Sequence, residues 1–347
     1  MMHGQQTQII ENVTQLDDAL SAPDPDVIAA MGRMKGDLIL LGAGGKMGPT
    51  LARMAKHASD DAGVQRRVIA VSRFSDKSIV AKLHQCNIET IPCDLLDPNQ
   101  VAALPDAGNV LFMTGMKFGA ANNPSLTWAM NTYAPALVCQ RYRHSKMVAF
   151  STGNVYGMTP VDGGGSRETD APAPDGEYAM SALGRERTFE YFSRAHADPM
   201  AIIRLNYACE LRYGILLDIA NWVWNETPVP IATGHVNAIW QRDANAFTLR
   251  AFENVNTPPL VTNVAGTATL SVRSLAEEFG RRMNKAVRFD GAEAPTAYLS
   301  NARTMCTRFG SPLTSVDQML DWTADWVMNG GEQHGKPTHF EVRSGKF

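Results

Sequence analysis

Short apolar runs punctuate the first two thirds of the chain. Leu38–Leu41, Val68–Val71, Val110–Met113, Met147–Phe150 and Ala201–Leu205 alternate with stretches of helical periodicity. Runs without polar alternation suit strands covered on both faces, which predicts a parallel sheet with helices on each side. Ahead of them, Ile9–Met34 is polar and mildly amphipathic, and it is interrupted by Ala22-Pro23-Asp24-Pro25. It predicts one or two short helices before the first strand. Beyond Asn206 the rhythm loosens. Leu211–Trp224 reads as helical, Pro228-Val229-Pro230 opens an irregular region, and Val261–Val264 reads as a late strand. Ser274–Met283 is expected to be an amphipathic helix, with Leu275, Phe279 and Met283 four apart. In a last helix, Val316–Met328, Met319, Leu320, Trp322 and Trp326 share a surface that reads as core. Gly163-Gly164-Gly165 and Pro172-Ala173-Pro174 fall in one long loop, expected to be a lid or simply mobile.

Composition narrows the classes. At 347 residues the chain exceeds the roughly 250–300 at which single cores stop growing, so two lobes or one large α/β domain are expected. With 44% hydrophobic and 19% charged residues it reads as a folded globular protein. No stretch approaches the roughly 18 apolar residues of a membrane-spanning helix. The formal charge of −3 lacks the basic footprint of a nucleic-acid binder. Five cysteines, odd in number and spread from Cys86 through Cys93, Cys139 and Cys209 to Cys306, form neither CxxC pairs nor a metal-ligand spacing with histidine. They read as reduced thiols. The opening MMHGQQTQ carries amides where an export signal would be basic, so a cytoplasmic location is expected and no metal.

The strongest local motif is Leu38-Ile-Leu-Leu-Gly42-Ala-Gly44-Gly45-Lys46-Met47-Gly48-Pro49: strand, glycine turn and helix start within a dozen residues. Glycines permit the tight turn and close approach of a pyrophosphate, and the helix N-terminus offers unpaired N–H groups and positive partial charge. Pro49 fits a first helical turn. The motif reads as a dinucleotide site involving Gly42, Gly45, Lys46, Met47 and Gly48 in a Rossmann-type doubly wound sheet. At the end of the second strand, where a carboxylate would receive the ribose 2′-hydroxyl of NAD, stands Ser72-Arg73. A guanidinium beside a hydroxyl attracts a 2′-phosphate, so NADP is favoured, with NAD as the alternative. The expected organisation is a helical extension at 1–35, an NAD(P)-binding domain at 36–206 and a smaller C-terminal α/β substrate lobe at 207–347, the chain partly returning to the sheet.

Further along come Phe150-Ser151-Thr152-Gly153-Asn154-Val155-Tyr156-Gly157 and, 26 residues past Thr152, Tyr178-Ala-Met-Ser181-Ala182-Leu-Gly-Arg185-Glu186. With these the chain resembles the extended short-chain dehydrogenases/reductases, the NAD-dependent epimerase/dehydratases typified by UDP-galactose 4-epimerase, from about Leu38 to Trp326. Asp94-Leu95, Thr114-Gly115-Met-Lys117, Asn131, Arg204-Leu-Asn206 and Asn263-Val-Ala-Gly266 match other landmarks. The resemblance implies that Asp94 and Leu95 bracket the adenine. It places Thr114 in the loop beside the cofactor and brings Lys117 and Asn131 to its ribose and phosphates. It makes Thr152 a hydrogen-bond partner of the reacting oxygen and Tyr178 the acid/base. The chemistry stands by itself: hydride transfer at a carbinol needs a proton to leave or reach the same oxygen, and a phenol can carry it if its pKa falls from about 10 toward neutrality.

One position departs from the pattern. Where the family has lysine, four residues after the tyrosine, this chain has Ala182. A literal Y-x-x-x-K, Tyr142 to Lys146, precedes the Ser151-Thr152 strand and reads as a decoy. The cationic nicotinamide, Arg185 or Lys117 are the conceivable replacements. The positions after Thr152 that are acidic in the family's 4,6-dehydratases are Gly153 and Asn154. Where nucleotide-sugar relatives have arginines for a diphosphate there are Val236 and Asp290-Gly291-Ala-Glu293. A small sugar-like substrate, such as a free sugar or sugar acid, is therefore expected, with Arg242, His235, Trp240 and Tyr207 as candidate contacts. An oxidoreductase or epimerase is the leading reading. A redox-neutral lyase, hydratase or isomerase on the same scaffold, and an NADP-sensing regulator, stay open. The resemblance also implies a homodimer packed through about Ser125–His144 and Tyr178–Ala195.

Overall fold

The apolar runs do become strands covered on both faces. A computed structural model describes residues 9–116 and 122–343. Its central sheet holds β1 (Leu38–Leu41), β2 (Val68–Ser72), β3 (Glu89–Pro92), β4 (Asn109–Phe112), β5 (Lys146–Thr152), β6 (Met200–Leu205) and β7 (Leu260–Val264), all parallel, in the order β7-β6-β5-β4-β1-β2-β3. Side chains of β1 alternate between two cores: Leu38 and Leu40 join one, Ile39 and Leu41 the other. That is why neither face shows polar alternation. The sheet grows outward from β1 to β3, then doubles back to β4 beside β1. At this reversal the loops leaving β1 and β4 diverge and open a crevice at the carboxyl ends of the strands.

The N-terminal stretch forms two helices, α1 (Val13–Ser21) and α2 (Pro25–Arg33). Asn12 and Asp24 cap them by accepting from the N–H groups of Gln15 and Val27. Val27 and Met31 of α2 enter a core of the sheet, whereas Leu16 and Leu20 of α1 enter the core of the second lobe. Each such buried aliphatic contributes about 1.5–3 kcal/mol. Buried Arg66 clamps the exit from α2, donating to the carbonyls of Met31, Met34 and Gly36.

On the sheet lie α3 (Gly48–Asp61), α4 (Lys77–Gln85), α5 (Pro98–Ala102), α6 (Pro124–Trp128), α7 (Ala134–Arg141) and α8 (Gly176–His196). A single π-helical turn, Ala129–Tyr133, joins α6 to α7. The second lobe is built on α9 (Ile215–Trp224), α11 (Val272–Met283) and α13 (Val316–Met328), while α10 (Gln241–Arg250) and α12 (Arg303–Phe309) return to the sheet, with Phe247 and Phe309 in its core. The core of the second lobe joins Ile219, Phe279, Leu320 and Trp326. Helix α9 starts four residues later than its sequence suggests, because Gly214 adopts φ +133 and its Cα lies hard against Cys209. Helix α11 starts two residues earlier, capped by Ser271. The long glycine- and proline-containing loop is pinned rather than free. Ser166 N–H donates to Leu299 O (2.9 Å), Asn301 N–H to Ser166 O (2.8 Å), and the Glu168 carboxylate accepts from Asn263 N–H and Thr304. Among the described residues no helix is long and apolar enough to cross a membrane.

One buried ion pair sets α8 against the sheet. Arg204 of β6 donates to both carboxylate oxygens of Glu186 at 2.9 and 2.6 Å, and Ser151 of β5 donates its hydroxyl to the same carboxylate at 2.5 Å. The two charged side chains are 5% and 4% exposed. Removing one partner leaves the other charged and buried, at a cost of about 3–5 kcal/mol. Arg204→Met is expected to lower stability by about that amount in urea unfolding. Glu186→Gln/Arg204→Met should recover much of the loss; equal stability of wild type and Arg204→Met would contradict the assignment.

Candidate active site

A cavity of about 320 Å³ lies in the crevice. It runs from the turn after β1 past the ends of β4 and β5 to the second lobe. Its floor at one end is the glycine turn. Gly42 has φ +97, and its Cα faces Thr114, whose backbone N would sit 2.9 Å from any added Cβ. A Cβ on Gly48 would collide with the backbone of Ala43. These positions accept no side chain, so the backbone itself forms the cradle. Helix α3 leaves the turn with no side-chain cap on its first N–H groups. An uncapped 14-residue helix behind a glycine cradle fits a pyrophosphate.

Gly42, Gly45, Lys46, Met47 and Gly48 all line this cavity, as do Thr152 and Tyr178. Thr152, 7% exposed, ends β5 and caps the short 3₁₀ turn Gly153–Tyr156. Its hydroxyl accepts from Asn154 N–H and donates to Asn154 Oδ1, both at 3.2 Å. Tyr178 is half-buried in the first turn of α8. Lys46 reaches across the cavity, its Nζ 2.9 Å from the ring centroid of Tyr213.

Other expected residues take different places. Thr114 donates its hydroxyl to Leu41 O (3.3 Å) and so ties the loop after β4 to β1. Ser72 packs behind Gly44, Arg73 is exposed at the end of β2, and Asp94 accepts from Leu96 N–H (3.1 Å); none of the three lines the cavity. Leu95 is buried in a sheet core. Asn131 differs from expectation. It is fully buried in the π turn, donates to Ser181 Oγ (2.8 Å), and accepts from Met116 N–H (3.2 Å) and Arg185 (2.9 Å). It binds the loop after β4 to α8 and does not line the cavity. Lys117 lies outside the described residues. Tyr142 is buried, donates to Pro105 O (3.1 Å) and does not line the cavity.

Of the four candidate substrate contacts, only Tyr207 lines the cavity. Trp240 is buried against Trp322, ring centroids 5.1 Å apart. Arg242 donates to Ala22 O (3.0 Å) and pairs with Asp24 and Asp243, fastening the N-terminal helices. His235 lies on a short strand paired with Ser271, away from the cavity. The walls that sequence reasoning missed are Asn206, Tyr213, Gln241 and Thr338. Thr338 arrives on the C-terminal segment, where it donates backbone and side chain to Asp218 at 2.9 and 2.6 Å. Burial pushes the phenols of Tyr207 and Tyr213 well above their ordinary value, so both act as neutral groups. Burial likewise raises Asp218, opposed by its bonds from Thr338.

Ala182 is fully buried against Val155 and Tyr156. Arg185, one turn along, lines the cavity and donates to Phe150 O (2.8 Å). Among the described residues the lining holds two cations, Lys46 and Arg185, and no carboxylate.

Residues 38–208 match the family model described as NAD dependent epimerase/dehydratase. The chain carries a domain of that family. It is accordingly an enzyme of the NAD-dependent epimerase/dehydratase type, with a nicotinamide dinucleotide as its cofactor. Comparison with curated protein sequences gives no match. Solved structures of the same fold include UDP-glucose 4-epimerase from Thermotoga maritima with UDP-glucose, at 16% identity and a TM-score of 0.70, covering 85% of this chain and 99% of that one. UDP-glucuronic acid 4-epimerase from Bacillus cereus, in complex with UDP-glucuronic acid and NAD, has 16% identity and a TM-score of 0.71, covering 84% and 99%. UDP-glucose 4-epimerase from Thermus thermophilus, in complex with NAD, has 16% identity and a TM-score of 0.68, covering 83% and 98%. The matched segment supplies the glycine cradle and the Thr152–Tyr178 pair, while Tyr213, Gly214, Ile215, Gln241 and Thr338 close the cavity from beyond it.

Proposed function

We propose that the enzyme interconverts a hydroxyl and a carbonyl on a small sugar-like substrate, as an epimerase or oxidoreductase, with Tyr178 as acid/base and Thr152 as hydrogen-bond partner of the reacting oxygen. The observation that carries this reading is the single cavity joining the glycine cradle to both hydroxyl side chains. The dinucleotide, when bound, accepts or donates hydride at its nicotinamide ring. The chain's own residues do the rest. Backbone N–H groups of the turn and of α3 hold the pyrophosphate, with Lys46 beside them. Thr152 orients the substrate oxygen, and Tyr178 gives or takes its proton. Asp94 and Leu95 mark the adenine end, with Ser72 and Arg73 at the ribose 2′ position; an exposed Arg73 there favours NADP over NAD.

Substrate size follows from the second lobe. Val236 is buried in its core, and Glu293 is paired with Arg273 at 2.9 Å, so the positions where a diphosphate would want arginines offer it none. Neutral Tyr207, Asn206 and Gln241 instead present hydrogen-bonding groups suited to hydroxyls. A homodimer is part of the proposal. Leu126, Trp128, Tyr133, Met180 and Tyr191 are the large exposed apolar side chains along α6 to α8.

Tyr178→Phe should lower turnover about 100-fold or more, read at 340 nm with NADPH, NADH and a panel of sugar acids and ketones beside UDP-glucose. Unchanged turnover would remove Tyr178 from the mechanism, and preference for UDP-glucose would reverse the size assignment. Arg73→Ser is expected to weaken NADPH binding about tenfold relative to NADH. Sedimentation should show a dimer that Trp128→Ser/Tyr191→Ser dissociates; a monomeric wild type would end that assignment.

A further inference from the structure

Among the described residues Arg185 is a buried cation that no carboxylate pairs with. Its residue is 4% exposed, and both hydrogen-bond acceptors it reaches, Phe150 O and Asn131 Oδ1, are neutral. Its buried Nε meets no acceptor among the described residues. The neighbouring carboxylate, Glu186, is already held by Arg204 and Ser151. Buried guanidinium groups are ordinarily paired, as Arg204 is, because an unpaired charge away from water is strongly disfavoured. Burial pushes Arg185 below the usual arginine range, with Tyr178 and Glu186 acting in the opposite direction. A guanidinium still stays charged at neutral pH.

The surroundings are shaped to hold this side chain. A Cβ on Gly115 would fall 2.8 Å from one terminal nitrogen of Arg185 and 3.1 Å from the other, so only glycine leaves the guanidinium its place. Tyr178 and Arg185 are seven residues apart, two turns along one face of α8, and helical side chains lean toward the N-terminus. Arg185 therefore extends toward Tyr178, and both line the same cavity. The other titratable groups around that cavity are Lys46 from the glycine turn, and Tyr207 and Tyr213 from the second lobe. Lys46 sits over the Tyr213 ring.

We propose that Arg185 is the positioning residue that balances the negative charge formed on Tyr178, taking over from one turn further along α8 the task for which Ala182 has no charge. This rests on the proposed acid/base role of Tyr178. With a dihydronicotinamide bound to supply hydride to the carbonyl carbon, the Tyr178 proton would pass to the carbonyl oxygen. A phenolate remains, and solvent reprotonates it. In the oxidising direction the same proton returns to that phenolate while hydride leaves the carbinol carbon. The phenolate is the species that Arg185 stabilises.

The test reads the phenolate directly. Its absorbance near 295 nm, taken as each protein minus its Tyr178→Phe counterpart and measured with oxidised dinucleotide bound, isolates Tyr178 from the other tyrosines. In Arg185→Met, or in Arg185→Gln, which keeps a donor for Asn131 or Phe150 O, the titration midpoint should move up by about one pH unit or more. Arg185→Lys and Ala182→Lys/Arg185→Met should bring it back toward wild type. Alongside, kcat should fall about tenfold or more while dinucleotide Kd changes less than about threefold. A folded neutral variant that titrates like wild type overturns the inference, as does a drop in thermal stability with unchanged titration, which would leave Arg185 a clamp for Asn131. If Tyr178→Phe turns over normally while the titration shifts as expected, the catalytic reading of Tyr178 fails and the electrostatic pairing stands.

Discussion

Placement of α8 sets the wall of the cavity, and the Glu186–Arg204 pair holds α8 to the sheet. Both hydroxyl side chains of the proposed mechanism are carried by elements that meet at this carboxylate: Thr152 follows Ser151 on β5, and Tyr178 lies two helical turns before Glu186. The pair is buried, so its members have no solvent to retreat into, and any shift of the helix along the sheet would unmake three charge-assisted hydrogen bonds at once. Tyr156 extends the same network, its ring 4.5 Å beneath the Arg204 guanidinium and its hydroxyl donating to Asn263 at 2.8 Å. Four segments distant in sequence are thereby locked to one another beneath the cavity.

On this foundation two arginines of α8 and β6 have opposite standing. Arg204 meets a carboxylate and is structural. Arg185 meets only a carbonyl and an amide and is left with charge to spare at the cavity wall. The π turn at Ala129–Tyr133 belongs to the same arrangement, since it brings Asn131 to accept from Arg185 while donating to Ser181. Asn131 therefore supports the cavity wall from behind, which its sequence landmark alone did not distinguish from a direct contact.

The sheet and the cradle were legible because their causes are local. Unbroken apolar runs such as Leu38–Leu41 mean burial on both faces, and glycines at 42, 45 and 48 followed by Pro49 allow few alternatives to a turn feeding a helix. That Thr152 and Tyr178 would face one cavity was legible through their spacing. The second lobe was not, since its walls are assembled from single residues on separate segments, such as Tyr213 before Gly214 and Thr338 from the last described segment. Trp240 and Arg242 looked like ligand-binding residues because aromatic and cationic side chains serve both core and site. Their partners, Trp322 for one and Ala22, Asp24 and Asp243 for the other, lie too far along the chain for local pattern to reveal.

The paired N-terminal helices carry a mechanical implication. With Leu16 and Leu20 seated in the core of the second lobe and Met31 seated under the sheet, two consecutive helices rivet the two cores together. Neither half can swing freely as a jaw about the other. Opening the crevice wide would therefore mean drawing those aliphatic side chains out of one core or the other.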